Sequence, residues 1–353
     1  MNHKISELLI KKYLQIKRDL PWRDIDDPYK IWLSEVILQQ TRVNQGLPYY
    51  LNFVSRYPSV SDLASASEDE VLKRWQGLGY YSRARNMLAT AKEVMLRFNG
   101  TFPKRYADLL SLKGIGEYTA AAVASFAAAE AVPVVDGNVI RVLSRLFAVE
   151  TEADSVAGKK LFKALASELL HPKRPDLHNQ AIMEFGALVC TPKNPSCADC
   201  PLSDSCHAFQ AGSVSTFPRK KPKKASRNRY FIYTVFSNGK ELLIERREDA
   251  GIWKSLYQFP LIETASLAAE EEIPAMLNDR FKALKYSHVQ VSEPVKHVLS
   301  HQNLFIRFVG LKMKQLPQNE QAIRVTFDAI GQYAFPVVIA NYLNSQPFLE
   351  LVD

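Results

Sequence analysis

Apolar residues recur along this chain at two different periods, and the change falls near residue 220. Before it they repeat every three to four positions, as on one face of a helix, over residues 31–43, 71–75, 84–98, 119–129, 139–147 and 158–170. After it the apolar runs are short and rich in β-branched and aromatic residues: 230–236, 241–247, 257–261, 288–291 and 304–312. Asn238-Gly239, between the first two of these, is a hairpin turn signal. Two helical stretches, 267–277 and 336–343, interrupt the strands. The pattern predicts an all-helical domain over 1–216, a linker over 217–229 and a smaller α+β domain over 230–353, with no internal repeat.

Charge supports that division. The net charge is +8, but residues 219–229 (RKKPKKASRNR) carry seven basic and no acidic side chains, so the remainder is close to neutral. A basic, Pro-containing stretch without an apolar period reads as a linker that can also touch phosphate, or as a merely solvated one. No run of about eighteen apolar residues occurs, and the first twenty residues lack an apolar leader core. The chain is therefore expected to be soluble and cytoplasmic, with no membrane partner, and to act as a monomer.

The chain has four cysteines, Cys190, Cys197, Cys200 and Cys206, all within seventeen residues. Four thiolates in one short loop suit a tetrahedral metal or an iron–sulfur cluster, and the spacing alone does not choose between them. A pair of disulfides is disfavoured without a secretory leader. A second motif runs from Leu112 through Lys113, Gly114, Ile115 and Gly116 to Tyr118, Thr119 and Ala120. Two glycines one residue apart, followed at once by an Ala-rich helix, read as a helix-hairpin-helix over about 108–125. Free N–H groups at such a helix start bind phosphate without reading sequence. The plain alternative is a turn between packed helices.

Two carboxylates stand out. Glu35 lies beside the apolar face formed by Trp32, Leu33, Val36 and Ile37, where desolvation should raise its pKa and suit it to act as an acid. Asp136 precedes the 139–147 helix near an N-cap position, which should hold it as the anion. Such a split separates an acid from an anionic stabiliser. The ordinary readings are a solvated helix-edge charge for Glu35 and a simple cap for Asp136.

Taken together, these segments resemble the adenine DNA glycosylases of the MutY family, within the helix-hairpin-helix glycosylase superfamily. The resemblance rests on WLSEVILQQTRV at 32–43, GLGYYSRAR at 77–85, the hairpin, VDGNVIRVLSR at 135–145 and the 6-2-5 cysteine spacing. It implies two helical lobes with DNA bound between them, a [4Fe–4S] cluster on loop 190–206, and a Nudix-like C-terminal domain that recognises the lesion. No hydrolase box with paired glutamates is evident in that domain, so it is not expected to hydrolyse. The implied partner is duplex DNA bearing adenine opposite 8-oxoguanine or guanine, and the implied activity is hydrolysis of adenine's N-glycosidic bond in base excision repair.

By residue, the resemblance makes Glu35 the acid that protonates adenine and Asp136 the carboxylate that stabilises the oxocarbenium ion. Asn138 and Tyr118 become their positioning partners. Gln40 and Tyr80 match residues that enter the base stack, Thr41 one beside the lesion, Gly114 and Gly116 the hairpin grip, and Ser300 and His301 the readers of 8-oxoguanine. Two positions depart from the family pattern: Lys113 stands where Pro is common and Leu299 where Phe is common. The rival readings are an endonuclease III-like glycosylase/lyase for oxidised pyrimidines, which carries a nucleophilic Lys at the position of Tyr118, and a non-catalytic DNA-binding iron–sulfur protein.

Overall fold

The computed structural model describes residues 2–221, 225–249, 251–281, 284–318, 321–345 and 348. The middle of the basic linker, 222–224, lies outside the described residues, as does the end of the expected C-terminal domain. Two compact units form. One comprises Met1–Ala66 and Asn86–Pro222; the other comprises Ser67–Arg85 and Lys223–Asp353.

Among its described residues the first unit is wholly helical. Its long helices are Asn2–Ile16, Pro28–Leu38, Val43–Arg56, Glu117–Ala128, Gly137–Leu146, Val156–Leu169 and Pro175–Leu188, together with residues 86–97 of the Ser82–Arg97 helix. One core joins four of them: Leu9 and Ile10, Val142 and Leu143, Phe162, and Ile182 and Phe185. The sequence explains several boundaries. Asp27 accepts from the N–H groups of Tyr29 and Lys30 while Pro28 occupies the first helical position. Ser155 caps the Val156–Leu169 helix through Gly158 N–H at 2.9 Å. The apolar period over 31–43 does not give one helix, however. The helix stops at Leu38, Gln40 is left-handed (φ 55°), and a new helix starts at Val43. The continuous period therefore concealed a turn, and Gln40 and Thr41 lie on it.

The second unit is built on one eight-stranded sheet: β1 (Arg227–Ser237), β2 (Glu241–Arg246), β3 (Tyr257–Gln258), β4 (Leu261–Thr264), β5 (His288–Val291), β6 (Val295–Val298), β7 (Gln302–Lys312) and β8 (Ala322–Thr326). β1 and β7 run parallel down the middle, and the remaining pairs are antiparallel. Both faces of β1 are covered, following its period of two. Ile232 and Phe236 pack with Ile273 and Leu277 of the Ile273–Phe281 helix. On the other face Tyr233 stacks on Phe308, which stacks on Tyr342 of the Val337–Leu343 helix at 4.0 Å. The expected single strand over 257–261 is broken at Pro260, and the helix expected over 267–277 starts later, after a short 3-10 turn at Glu270–Glu272. The sequence reading missed β6 and β8, both short and largely exposed.

Residues Ser67–Arg85 belong to this second unit. Arg246 meets Glu68 at 2.9 Å, Tyr257 Oη donates to Asp69 at 3.1 Å, and Lys73 Nζ donates to the Tyr333 carbonyl at 3.0 Å.

Candidate active site

Within the helical unit the Pro28–Leu38 helix packs on the Glu117–Ala128 helix, which is rich in small buried residues, Ala120, Ala121, Ala122 and Ala124 among them. That close approach brings Glu35 to Tyr118. Glu35 is only 8% exposed, and Tyr118 Oη donates to its Oε2. Burial raises the Glu35 pKa. The Tyr118 bond and the Arg23 charge pull it back, Asp136 adds to the rise, and the net shift is upward. Burial and the neighbouring Glu35 carboxylate hold the Tyr118 hydroxyl firmly protonated.

Asp136 is the N-cap of the Gly137–Leu146 helix. Its Oδ1 accepts from Val139 N–H and its Oδ2 from Asn138 Nδ2, each at 2.7 Å. The expected depression of its pKa is not what the surroundings give. Burial outweighs the N-cap bonds, and Asp136 titrates above its ordinary value. The two carboxylates are thus both shifted upward, with different partners: a phenol O–H for Glu35, amide and backbone N–H groups for Asp136.

Asn138 is itself held. Its Oδ1 accepts from Arg141 at 2.8 Å, and a side chain at Gly186 would put its Cβ 2.7 Å from the Asn138 Cβ. Arg141 also donates to the carbonyls of Cys190 and Gly186. One turn on, Arg145 donates to Cys190 Sγ at 3.3 Å and to the Thr191 carbonyl at 2.8 Å. The Asp136 helix therefore leads directly into the cysteine loop.

All four cysteines are free thiols and half-buried. Cys190, Cys200 and Cys206 pack against the helical core. Burial raises Cys197, Cys200 and Cys206; backbone hydrogen bonds pull Cys200 and Cys206 part of the way back, and neighbouring cysteines add to the rise in all three. Yet among the described residues no three cysteine sulfurs lie within 4.8 Å of one another. A single tetrahedral zinc with bonds of about 2.3 Å needs closer sulfurs, whereas an iron–sulfur cluster spans a wider cradle. His3, Glu7 and His171 do cluster, but Arg174 occupies both Glu7 oxygens at 2.6 Å and the His171 Nδ1 accepts two backbone N–H groups. That group is an ion-pair network.

Sequence reasoning missed part of this site. Glu184 is 1% exposed and accepts from Arg18 Nε and Nη2 at 2.7 Å and from Arg23 at 3.3 Å. Burial alone would raise Glu184, but Arg18 and Arg23 outweigh it and hold it below its usual value. Through Arg23 this group acts on Glu35 and Tyr118. The available signal was a lone carboxylate in the apolar run Ile182-Met183-Glu184-Phe185. Asn179, 1% exposed, accepts from Val134 N–H and donates to the Val132 carbonyl, fixing the extended approach to Asp136.

The other named residues are distributed as follows. Gly114 has φ +89°, and any Cβ there would lie 2.9 Å from the Asn86 Cβ, so glycine is required on both counts. Gly116 is the N-cap of the Glu117–Ala128 helix and makes no side-chain cap. Tyr80 is 46% exposed on a left-handed backbone (φ 48°) in the second unit. Ser300 and His301 are exposed at the tip of the β6–β7 hairpin, with Ser300 Oγ 3.1 Å from His301 Nδ1.

Three family models match the chain: the HhH-GPD superfamily of base excision DNA repair proteins over residues 33–168, the iron–sulfur binding domain of endonuclease III over 190–206, and the NUDIX domain over 232–345. The adenine DNA glycosylase of Buchnera aphidicola subsp. Baizongia pistaciae is 34% identical over 305 residues, covering 85% of this chain and 83% of the relative. The human adenine DNA glycosylase is 34% identical over 363 residues, covering 87% of this chain and 66% of the relative. Among solved structures, a thermostable thymine-DNA glycosylase superposes with a TM-score of 0.55 at 27% identity, covering 60% of this chain and 97% of its own.

Proposed function

The chain belongs to the MutY family of adenine DNA glycosylases, and from that premise we propose that it removes adenine paired with 8-oxoguanine or guanine in duplex DNA. The reaction class is hydrolysis of an N-glycosidic bond in base excision repair, with an endonuclease III-type iron–sulfur domain in the same chain. Adenine leaves poorly as an anion. Protonating a ring nitrogen lets it leave neutral while positive charge develops on the sugar. Glu35 is the proton donor in this reading. Tyr118 occupies Oε2, which leaves Oε1 for the proton, and burial keeps that proton on at higher pH than an ordinary carboxyl would. Asp136, with each oxygen pinned by an N–H donor, is the fixed anion beneath the oxocarbenium ion.

Cys190, Cys197, Cys200 and Cys206 would hold a [4Fe–4S] cluster, whose thiolate-bound core would staple the loop that Arg141 and Arg145 join to the Asp136 helix. Extruding the base costs roughly a few kcal/mol. Gln40 and Tyr80, each on a left-handed backbone, are the side chains we assign to fill the gap, with Thr41 beside the lesion base. Gly114 and Gly116 shape the phosphate grip, and Ser300 and His301 meet the C8 oxo group and N7–H that distinguish 8-oxoguanine. The protein acts as a monomer on cytoplasmic, nucleoid DNA.

The observation that carries this reading is the buried Glu35–Tyr118 pair within electrostatic reach of Asp136. A phenol in place of an amine also argues against a lyase. The test is a glycosylase assay on duplexes with adenine opposite 8-oxoguanine, guanine or thymine, followed by borohydride trapping. Free adenine should appear fastest opposite 8-oxoguanine, with little trapped adduct. No adenine release, or strong trapping with release of oxidised pyrimidines, would overturn it.

A further inference from the structure

The turn that carries Tyr80 is sharply bent. Gly77 (φ 98°), Gly79 (φ 75°) and Tyr80 (φ 48°) all take left-handed backbone angles within four residues. Two glycines tolerate this, but a tyrosine there is uncommon and persists only where its surroundings hold it. Arg83 supplies that hold. Arg83 is buried at 9% exposure, and its Nη2 donates to the carbonyls of Leu78 (3.4 Å) and Gly79 (3.2 Å). Its guanidinium lies 5.0 Å from the Trp75 ring centroid and 5.8 Å from the Tyr80 centroid. Trp75 Nε1 adds a second donor to the Gly79 carbonyl at 3.0 Å, and Arg83 N–H donates to the Tyr80 carbonyl at 2.9 Å. Burial pulls the Arg83 guanidinium down to about 10, so it is still a cation at neutral pH.

We propose that Arg83 is a positioning residue for base-stack insertion: its guanidinium clamps the Leu78 and Gly79 carbonyls and the face of the Tyr80 ring, so that this exposed ring is pre-set for entry into the duplex. The idea rests on the reading of Tyr80 as an inserting residue. A guanidinium is suited to the task because one of its nitrogens, Nη2, serves two carbonyls while the planar group lies against aromatic rings, which an ammonium cannot do together. Pre-setting the ring removes rotamer freedom before DNA binds, and that lowers the cost of insertion.

The experiment is a double-mutant cycle on the full-length protein with Arg83→Met, Tyr80→Ala and the pair, alongside Arg83→Lys. Two quantities are read: single-turnover adenine release opposite 8-oxoguanine, and the fluorescence of 2-aminopurine placed beside 8-oxoguanine in an uncleavable duplex, which reports unstacking. Arg83→Met should lower excision about tenfold and reduce the fluorescence rise. In the Tyr80→Ala background the same change should cost less than about twofold, because the ring it serves is gone. Arg83→Lys, which keeps the charge and the fold, should fall between Arg83→Met and the parent. An Arg83→Met effect that is undiminished in the Tyr80→Ala background would make Arg83 a general fold residue and overturn the proposal. So would a parent-like Arg83→Met beside an impaired Tyr80→Ala. If Tyr80→Ala itself matches the parent in both readouts, the insertion reading of Tyr80 fails, and this proposal fails with it.

Discussion

Glu35 and the Ser300–His301 pair represent two ways of placing polar chemistry. Glu35 is 8% exposed, faces a phenol, and feels the charges of Arg23 and Asp136. Asp136 has both oxygens fixed by N–H donors, and the chain behind it is tied through Asn138, Arg141 and Asn179. Ser300 and His301 instead stand exposed on a hairpin tip, and the side-chain hydrogen bond between them is to each other. The buried pair has shifted pKa values because each group is desolvated before any substrate arrives. The exposed pair presents groups that a partner must come and desolvate. On the proposed reading, reaction chemistry is placed where geometry is over-determined and discrimination where contact is optional, so substitutions in the two places should differ in kind as well as size.

The largest effect should come from the buried pair. Glu35→Gln should cost more than the roughly 10²–10⁴-fold typical of one acid–base group, because Tyr118 cannot replace a carboxyl as proton donor. Asp136→Asn should be severely impaired with stability down by about 1 kcal/mol or less, since Asn also caps a helix well. Parent-like single-turnover rates in either variant would return that residue to a structural role. The raised Glu35 pKa has a thermodynamic sign as well. The folded state holds the Glu35 proton more tightly than the unfolded chain, so the stability this contributes is present at low pH and is lost as pH rises through the folded pKa. At neutral pH Glu35→Gln should therefore melt no lower than the parent while losing its activity. In the parent, excision should fall on the alkaline side as Glu35 ionises and on the acid side as Asp136 is protonated, both limbs lying above those of ordinary carboxylates.

The cysteine loop is the next point of attack. Cys197→Ser should lose the yellow-brown colour and the roughly four irons per chain expected of a four-thiolate cluster. Arg141 and Arg145 both reach the loop from the Asp136 helix, so excision should fall together with melting temperature. Iron retained at the parent level, or zinc in its place after anaerobic purification, would contradict the cluster assignment.

How much of this was legible in the sequence depended on how local the signal was. The cysteine spacing, the hairpin glycines and the N-cap at Asp136 are set by neighbours in the chain, and they could be located from it. The Asp136 pKa could not. An N-cap predicts depression, but the burial that reverses it comes from packed helices distant in sequence. The period over 31–43 concealed the left-handed turn at Gln40, because a turn between two helices that share one core keeps the apolar spacing. Glu184 and Asn179 carry no motif, since their partners Arg18, Arg23 and Val134 lie 45 or more positions away. β6 and β8 were missed because edge strands are mostly exposed and lack a full apolar alternation.

The exposed pair should give a smaller and more selective effect. Ser300→Ala/His301→Ala should shrink the preference for adenine opposite 8-oxoguanine by roughly 1–3 kcal/mol while excision opposite guanine stays nearly unchanged. Point substitutions suit this test better than truncation at the linker. Residues Ser67–Arg85 pack with the sheet unit through Glu68, Asp69 and Lys73, so removing the sheet would strip partners from the helix that leads into the Tyr80 turn. An equal loss on both duplexes would make these two residues contributors to general affinity.

The smallest effect should be at Lys113, and it sharpens the contrast because the proposed reading puts it on the gripping side. Its side chain is exposed on the hairpin, its N–H donates to Glu93 Oε2 at 3.0 Å, and its carbonyl accepts from Thr90 at 2.6 Å. Where the family commonly has Pro there is no N–H to satisfy; here Glu93 satisfies one, and that bond is the largest cause holding the Glu93 pKa down. Lys113→Gln keeps the N–H and the turn and removes only the charge. If that charge contacts a phosphate, the slope of log affinity against log salt should fall by about one, with the same few-fold weakening on every duplex. Lys113→Pro should show the same change in slope and also leave Glu93 Oε2 without its backbone donor, returning the Glu93 pKa only part of the way to the ordinary value because Arg97 still donates to Oε1. A weakening that depends on 8-oxoguanine would place Lys113 with the reading residues, and an unchanged salt slope would remove it from the DNA contact altogether.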